Sequence, residues 1–135
     1  MNLQTKITIA APDFSIDYNS KLMMLGSCFA ENMGGKFSYY KFDVDVNPCG
    51  IIYNPLSVAN VLRLIMEGKP FGKDDLRKVG EKWVSLYHHG AFSSTDPEEC
   101  LRRINERLER ATRELRSLDL LVITCRKGFG CDSEI

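Results

Sequence analysis

The sequence predicts an α/β domain with a mostly parallel sheet. Short apolar runs at residues 21–25 and 118–124 have the character of buried strands. Segments with helical periodicity lie between them, so that strand-like and helix-like stretches alternate along the chain, as in βαβ architectures. The length of 135 residues corresponds to one domain, and no repeat or obvious linker divides it.

The first elements follow from local patterns. "KLMML" (21–25), closed by Gly26, is typical of a buried strand, and the segment after it places Phe29, Met33 and Phe37 at helical spacing. "FDVDV" (42–46) alternates apolar and acidic residues, which predicts a half-exposed strand near a sheet edge.

A second helix is predicted after the turn-rich segment "NPCGIIYNP". Asn54 is the expected N-cap, Pro55 the first helical residue and Gly68 the end of the helix. The predicted apolar face consists of Val58, Val61, Leu62, Ile65 and Met66.

The second half contains the clearest helix. Residues 69–94 are irregular, with a strand predicted in "KWVSLY". Asp96 as N-cap and Pro97 at the first position then start a helix. Its Arg and Glu residues are expected to form a solvated face, and its buried stripe consists of Leu101, Ile104, Leu108 and Leu115. "LDLLVIT" (118–124) is expected to be a buried strand of the parallel type.

Composition excludes several classes of partner. The chain has 18 Lys and Arg against 18 Asp and Glu, so no net field recruits nucleic acid or an anionic membrane. The N-terminus lacks the pattern of a secretory signal, and no apolar run approaches the roughly 20 residues of a membrane span. We therefore expect a soluble, cytoplasmic protein with no bound cofactor.

The five cysteines do not form a recognisable framework. Their odd number and scattered spacing argue against structural disulfides, and no C-x-x-C pair indicates a metal site. Cys28 draws attention because it follows the first predicted strand at the turn into a helix. A helix N-terminus there would favour a thiolate nucleophile, whose own N–H could help stabilise an oxyanion. Two alternatives are a buried packing cysteine and a redox pair of Cys28 with Cys49.

"LGSCFAENMG" (25–34) and "NPCGIIYNP" (47–55), in this order, resemble the GSCFA family, which is related to the SGNH or GDSL-type hydrolases. The resemblance covers about residues 20–124. It implies a flavodoxin-like three-layer α/β/α sandwich, of which residues 1–124 would be the N-terminal part, and ester or acyl chemistry on a small acylated substrate.

The resemblance also implies site residues. Cys28 takes the place of the nucleophile, with Ser27 as the alternative, and Gly50 matches the glycine whose N–H lines the oxyanion hole. Asn47 either stabilises its loop or reaches the site, and the simpler structural interpretation is that it belongs to a plain turn. For Gly50 the simpler structural interpretation is that the backbone needs a positive φ angle at this position. Independently of the resemblance, His88 and His89 are the only imidazoles in the sequence, and His89 is the candidate base, although such a pair is more typically one packed and one solvent-facing residue.

The last residues depart from the family pattern. After Thr124 the chain reads "CRKGFGCDSEI", without the expected Gly-Thr motif or the later Asp-x-x-His block that carries the base. Residues 125–135 therefore resemble a frameshifted or truncated tail, and we expect little or no turnover. An incomplete domain would leave a sheet edge uncovered, open to a second copy of the chain. The alternative function is a non-catalytic binding or scaffold protein completed by a partner.

Overall fold

The computed structural model describes residues 7–125. Its strands are β1 (Lys21–Gly26), β2 (Asp43–Val46), β3 (Leu76–Val79), β4 (Lys82–Ser85) and β5 (Leu120–Thr124). Its helices are α1 (Cys28–Tyr39), α2 (Pro55–Glu67) and α3 (Pro97–Arg116). This is a small α/β domain, as the alternating pattern predicts.

The main sheet has three parallel strands in the order β2-β1-β5. From β1 the chain crosses through α1 to β2 on one side, and from β2 it returns through α2 and α3 to β5 on the other side of β1. The carboxyl end of β1 is therefore a topological switch point, the place where open α/β sheets form a crevice. The expected edge position of "FDVDV" is confirmed for residues 7–125, in which β2 pairs with β1 alone.

Helices pack on both faces of this sheet. Met23 and Leu25 of β1 lie in one buried cluster with Val58, Val61 and Ile65 of α2 and Leu108 and Ala111 of α3. On α1, Gly34 lies against β2, where an added Cβ would be 2.3 Å from a methyl carbon of Val46. A larger side chain at this position would push α1 away from the sheet.

The caps of α2 and α3 are as predicted. The Asn54 side chain accepts from Leu56 N–H at 2.8 Å, and Asp96 accepts from Glu98 N–H at 3.0 Å. Gly68 ends α2 in the left-handed conformation with φ +60°. The prediction that Met66 belongs to the apolar face of α2 is wrong, because 71% of this residue is exposed.

One expectation about these elements is confirmed and one needs correction. Helix α1 begins at Cys28 with Ser27 as its N-cap, so Cys28 lies at a helix N-terminus as expected, although Phe29 is 59% exposed. The strand in "KWVSLY" ends at Ser85 and pairs in an antiparallel hairpin with β3, which the sequence pattern did not reveal.

The charged face of α3 is not entirely solvated. Arg107 reaches the edge strand, where its guanidinium pairs with Asp45, which is only 5% exposed, and donates to the Val46 carbonyl at 3.2 Å. Leu108 and Ile104 are buried as predicted, whereas Leu101 and Leu115 are only partly buried.

Helix α3 has the length of a membrane-spanning helix but not the apolar composition. It has 20 residues but alternates Arg and Glu along its length. Over residues 7–125, no helix combines the length and the apolar character that a membrane span requires.

Candidate functional site

Strand β1 ends in a glycine that admits the neighbouring strand at very short range. Gly26 has φ +131°, and a Cβ there would lie 1.8 Å from the carbonyl oxygen of Thr124 on β5. Any other residue would be strained and would push β5 away. The close approach brings the ends of β1 and β5 together at the switch point.

Ser27 holds the turn between β1 and α1. Its N–H donates to both the carbonyl (3.2 Å) and the hydroxyl (3.1 Å) of Thr124, and its own hydroxyl lies 3.1 Å from the Thr124 hydroxyl. The same Ser27 oxygen accepts from Phe29 N–H at 3.3 Å as the N-cap of α1. The Ser27 hydroxyl is thus half-buried and already engaged in capping.

Cys28 is the first residue of α1, and its side chain is exposed. The N–H groups of the first helical turn have no partners within the helix, and the helix dipole places partial positive charge there. Within residues 7–125, the Cys28 thiol makes no hydrogen bond to either histidine. Cys49, unlike Cys28, is buried, and this burial raises the pKa of the Cys49 thiol to about 11. A buried thiol of this kind is a poor partner for the alternative redox pair.

Asn47 joins the two sequence motifs. Its side-chain oxygen accepts from Gly26 N–H at 2.8 Å, and its side-chain nitrogen donates to the Glu31 carboxylate at 2.7 Å. Its backbone N–H donates to the Met24 carbonyl at 2.9 Å, and its carbonyl accepts from Gly50 N–H at 2.8 Å. Asn47 is therefore both a turn residue, with φ +42°, and the buried connection between β1, α1 and the following loop.

Glu31 is the contact that the sequence analysis missed. It lies three residues after Cys28, so both side chains share one face of the first turns of α1. An acidic residue in the first turn of a helix is a common favourable pattern, which gave no reason to assign it a partner on another strand.

Gly50 has the positive φ that was expected of it, +93°. An added Cβ would lie 2.2 Å from the Cβ of His89, so the second motif packs directly on the histidine segment. The Gly50 N–H closes the turn onto the Asn47 carbonyl, and it would have to leave that bond to reach a ligand. Ile52 N–H donates to the Gly26 carbonyl at 2.9 Å, which attaches the loop to the end of β1.

The two histidines have different environments, as expected for such a pair. His89 is exposed; its backbone N–H donates to the Cys49 carbonyl at 2.8 Å, and its Nδ1 accepts from Ala91 N–H at 3.2 Å. His88 is half-buried, with its Nδ1 2.9 Å from the Ser85 hydroxyl. Burial lowers the pKa of His88 to about 4, so the ring is neutral at physiological pH.

The site residues therefore form two connected groups. Gly26, Ser27 and Cys28 form the turn, Asn47 fastens it to the second loop, and His89 packs on Gly50 within that loop. In the part of the chain that the structure describes, no three His, Cys, Asp or Glu side chains come together as a metal site.

These features define a small α/β domain whose central strand ends in a thiol-bearing turn at a switch point of the sheet. The sequence model of the GSCFA family matches residues 21–128, most of the chain and both motifs. The chain belongs to the GSCFA family. No curated protein and no solved structure matches it.

Proposed function

We propose that the domain carries SGNH-like acyl chemistry, as an ester hydrolase or acyltransferase, with Cys28 as the nucleophile. One observation supports this above the others: an exposed thiol at a helix N-terminus lies at the switch point of the sheet, in a turn tied down by Asn47 and Thr124. Rigid support of this kind is what a nucleophile needs in order to meet its substrate in one geometry.

The choice of Cys28 over Ser27 rests on what each side chain already does. The Ser27 hydroxyl caps α1 and contacts Thr124, so attack by this oxygen would break the cap. Among the described residues the Cys28 side chain makes no such structural hydrogen bond, and a thiol is the better nucleophile without a strong base.

The proposed reaction has two steps. The Cys28 thiolate attacks the acyl carbonyl carbon, a thioester forms, and the alcohol leaves with its oxygen and a proton from solvent. Water or a second alcohol then attacks the thioester, receives the acyl group and returns the thiol. The Cys28 N–H is the proposed first oxyanion donor, and Gly50 N–H joins it only if the Asn47 turn opens.

His89 is the proposed base. Its Nδ1 accepts from Ala91 N–H, so the neutral ring carries its hydrogen on Nε2, and the ring can take up a proton only at Nδ1 after the contact with Ala91 opens. Because no hydrogen bond links Cys28 to a histidine over residues 7–125, we expect slow turnover.

We also propose that the architecture is the three-layer sandwich of flavodoxin-like type. Helix α1 on one face of the sheet and α2 with α3 on the other support it. The four cysteines of the described residues are free thiols, which fits a reducing compartment such as the cytoplasm.

The test is acylation by p-nitrophenyl acetate, followed by mass mapping of the labelled peptide. Cys28→Ala should abolish ester turnover, whereas Cys125→Ala, which removes the other exposed thiol of residues 7–125, should leave it unchanged. Acetylation should be at least about tenfold faster at Cys28 than at Cys125 in the unmodified chain. Equal rates at the two thiols, or turnover that survives in Cys28→Ala, would overturn the proposal.

A second candidate is a scaffold completed by a partner, and the edge of β5 favours it. In the described residues β5 pairs only with β1, and Ile123 is 45% exposed along it. Such an edge can pair with another strand, for which a second copy of the chain is the simplest source. Light scattering that shows a dimer, together with no ester turnover, would favour this candidate over the enzyme.

A further inference from the structure

A cavity of about 250 Å³ lies beside the loop of the second motif. Its walls include Ile51 and Ile52 of the loop, Ser57 and Asn60 of α2, and Leu86 and His88 of the segment after β4. The volume is just below the roughly 300–1,000 Å³ of pockets for drug-sized ligands, so it suits a small group.

The charge of the walls restricts the ligand. None of the side chains that line this cavity belongs to Asp, Glu, Lys or Arg. Two larger cavities, by contrast, are lined by arginines together with a glutamate. A charged ligand would lose its hydration in the small cavity and meet no opposite charge from Asp, Glu, Lys or Arg, whereas an uncharged ligand has less hydration to lose.

His88 supplies a fixed polar group in these walls. The Ser85 hydroxyl oxygen accepts from Tyr87 N–H at 3.2 Å, and its own proton has His88 Nδ1 as acceptor among the described residues. When the Ser85 hydroxyl is the donor in this contact, the hydrogen of the neutral ring resides on Nε2 of His88. Phe71 and Phe92 contact the ring edge-on, with centroid distances of 5.0 and 5.3 Å, and fix its orientation.

The Nε2 atom of His88 has no hydrogen-bond partner among residues 7–125. No side-chain nitrogen or oxygen of these residues is both fully buried and without a partner. Nε2 is therefore free, among the described residues, to bind a ligand, and His88 lines the cavity. The N–H at Nε2 is a neutral donor suited to a carbonyl oxygen.

The loop that forms part of the cavity wall is hydrogen-bonded to the thiol-bearing turn, although Cys28 itself does not line the cavity. Ile52, in its wall, donates its N–H to the carbonyl of Gly26, two residues before Cys28. His89, also in the wall, packs against Gly50.

We propose that this cavity binds the uncharged, short acyl part of the substrate, with Nε2–H of His88 donating to a carbonyl oxygen. This inference rests on the proposed acyl chemistry for its link to Cys28. It adds the substrate class: a short, neutral acyl group with a polar oxygen, as opposed to a long lipid chain or an anionic acid.

Butyramide, an uncharged short-chain amide, is the probe. NMR titration should show millimolar binding, with shifts at Ile52, Ser57 and His88, and the ¹⁵N shifts of the imidazole should report the Nε2–H form. Butyrate, the charged analogue, should bind at least about tenfold more weakly.

Two substitutions on α2 form a matched pair. Ser57→Leu fills the cavity and should weaken butyramide at least about tenfold, whereas Ala59→Leu, an exposed position two residues away that does not line the cavity, should not. Circular dichroism of both variants confirms that they fold.

The outcomes separate the two proposals. If p-nitrophenyl butyrate is hydrolysed but butyramide causes no shifts in the cavity, or if Ser57→Leu binds it normally, the cavity proposal is overturned and the acyl chemistry stands. If butyramide binds and Ser57→Leu blocks it while no ester is hydrolysed, the binding site is supported and the acyl chemistry fails.

Discussion

The ion pair between Arg107 and Asp45 yields a sharp prediction about stability. Asp45 is 5% exposed on β2, and the guanidinium of Arg107, on α3, pairs with both of its carboxylate oxygens. Replacing Arg107 by Leu leaves a buried carboxylate without its partner. Breaking a buried pair in this way costs about 3–5 kcal/mol, and the partial exposure of Arg107, 24%, places this case near the lower end.

Urea unfolding measures this cost. The single tryptophan, Trp83, reports on the β3–β4 hairpin by fluorescence, and circular dichroism reports on the helices. A loss of about 3 kcal/mol is a large fraction of the 5–15 kcal/mol that stabilises an ordinary domain, so Arg107→Leu should unfold at a much lower urea concentration.

The same helix provides the control. Arg102 pairs with Glu99 and Glu106 on the surface and is 55% exposed, so Arg102→Leu should cost much less stability than Arg107→Leu. The double variant Asp45→Leu with Arg107→Leu should recover most of the lost stability, because it removes the buried charge. Equal costs for the two single arginine variants would refute the reasoning.

Three further predictions follow from the site. Gly50→Ala should destabilise the domain by about 2 kcal/mol or more, because the new methyl group meets His89 at a positive φ; circular dichroism melting compared with Gly90→Ala, where the space is open, measures it. The low pKa of His88 means that the unfolded chain binds a proton that the folded one does not between pH 6.5 and about 4, so stability should fall as pH falls through this window. His88→Gln should flatten that dependence in urea unfolding at pH 7 and 5, and an unchanged slope would contradict it. A maleimide should label Cys28 well before the buried Cys49 in the native protein, and mass mapping after brief exposure decides.

Local signals in the sequence were sufficient for the ends of two helices. Asn54 and Asp96 are caps because each side chain accepts a hydrogen bond from the first helical turn, directly before a proline that suits the first helical position. Gly68 ends α2 because glycine adopts the left-handed conformation easily. The chemistry of these positions depends on neighbours a few residues away, which a sequence displays directly.

Contacts across the fold were not predictable in this way. Arg107 and Asp45 are 62 residues apart, and only the packing of α3 against the sheet brings them together. By its position Glu31 is an ordinary acidic residue of a first helical turn, and its contact with Asn47 depends on how the loop after β2 packs on α1. The exposure of Phe29 and Met66 likewise depends on how each helix is rotated about its axis, which periodicity fixes only approximately.

The pairing of β1 with β5 has a consequence for folding kinetics. Leu22 pairs with Leu120, and Thr124, the last residue of β5, holds Ser27 in place, so the thiol-bearing turn is assembled from segments about 100 residues apart in the chain. Contacts at such separation form late, because closing a long loop costs conformational entropy before the contacts themselves contribute any stabilising free energy. During synthesis, β1 therefore emerges with β2 as its early neighbour and keeps its other edge unpaired until β5 leaves the ribosome. The turn that carries Cys28 is then among the last parts of the domain to acquire its native geometry.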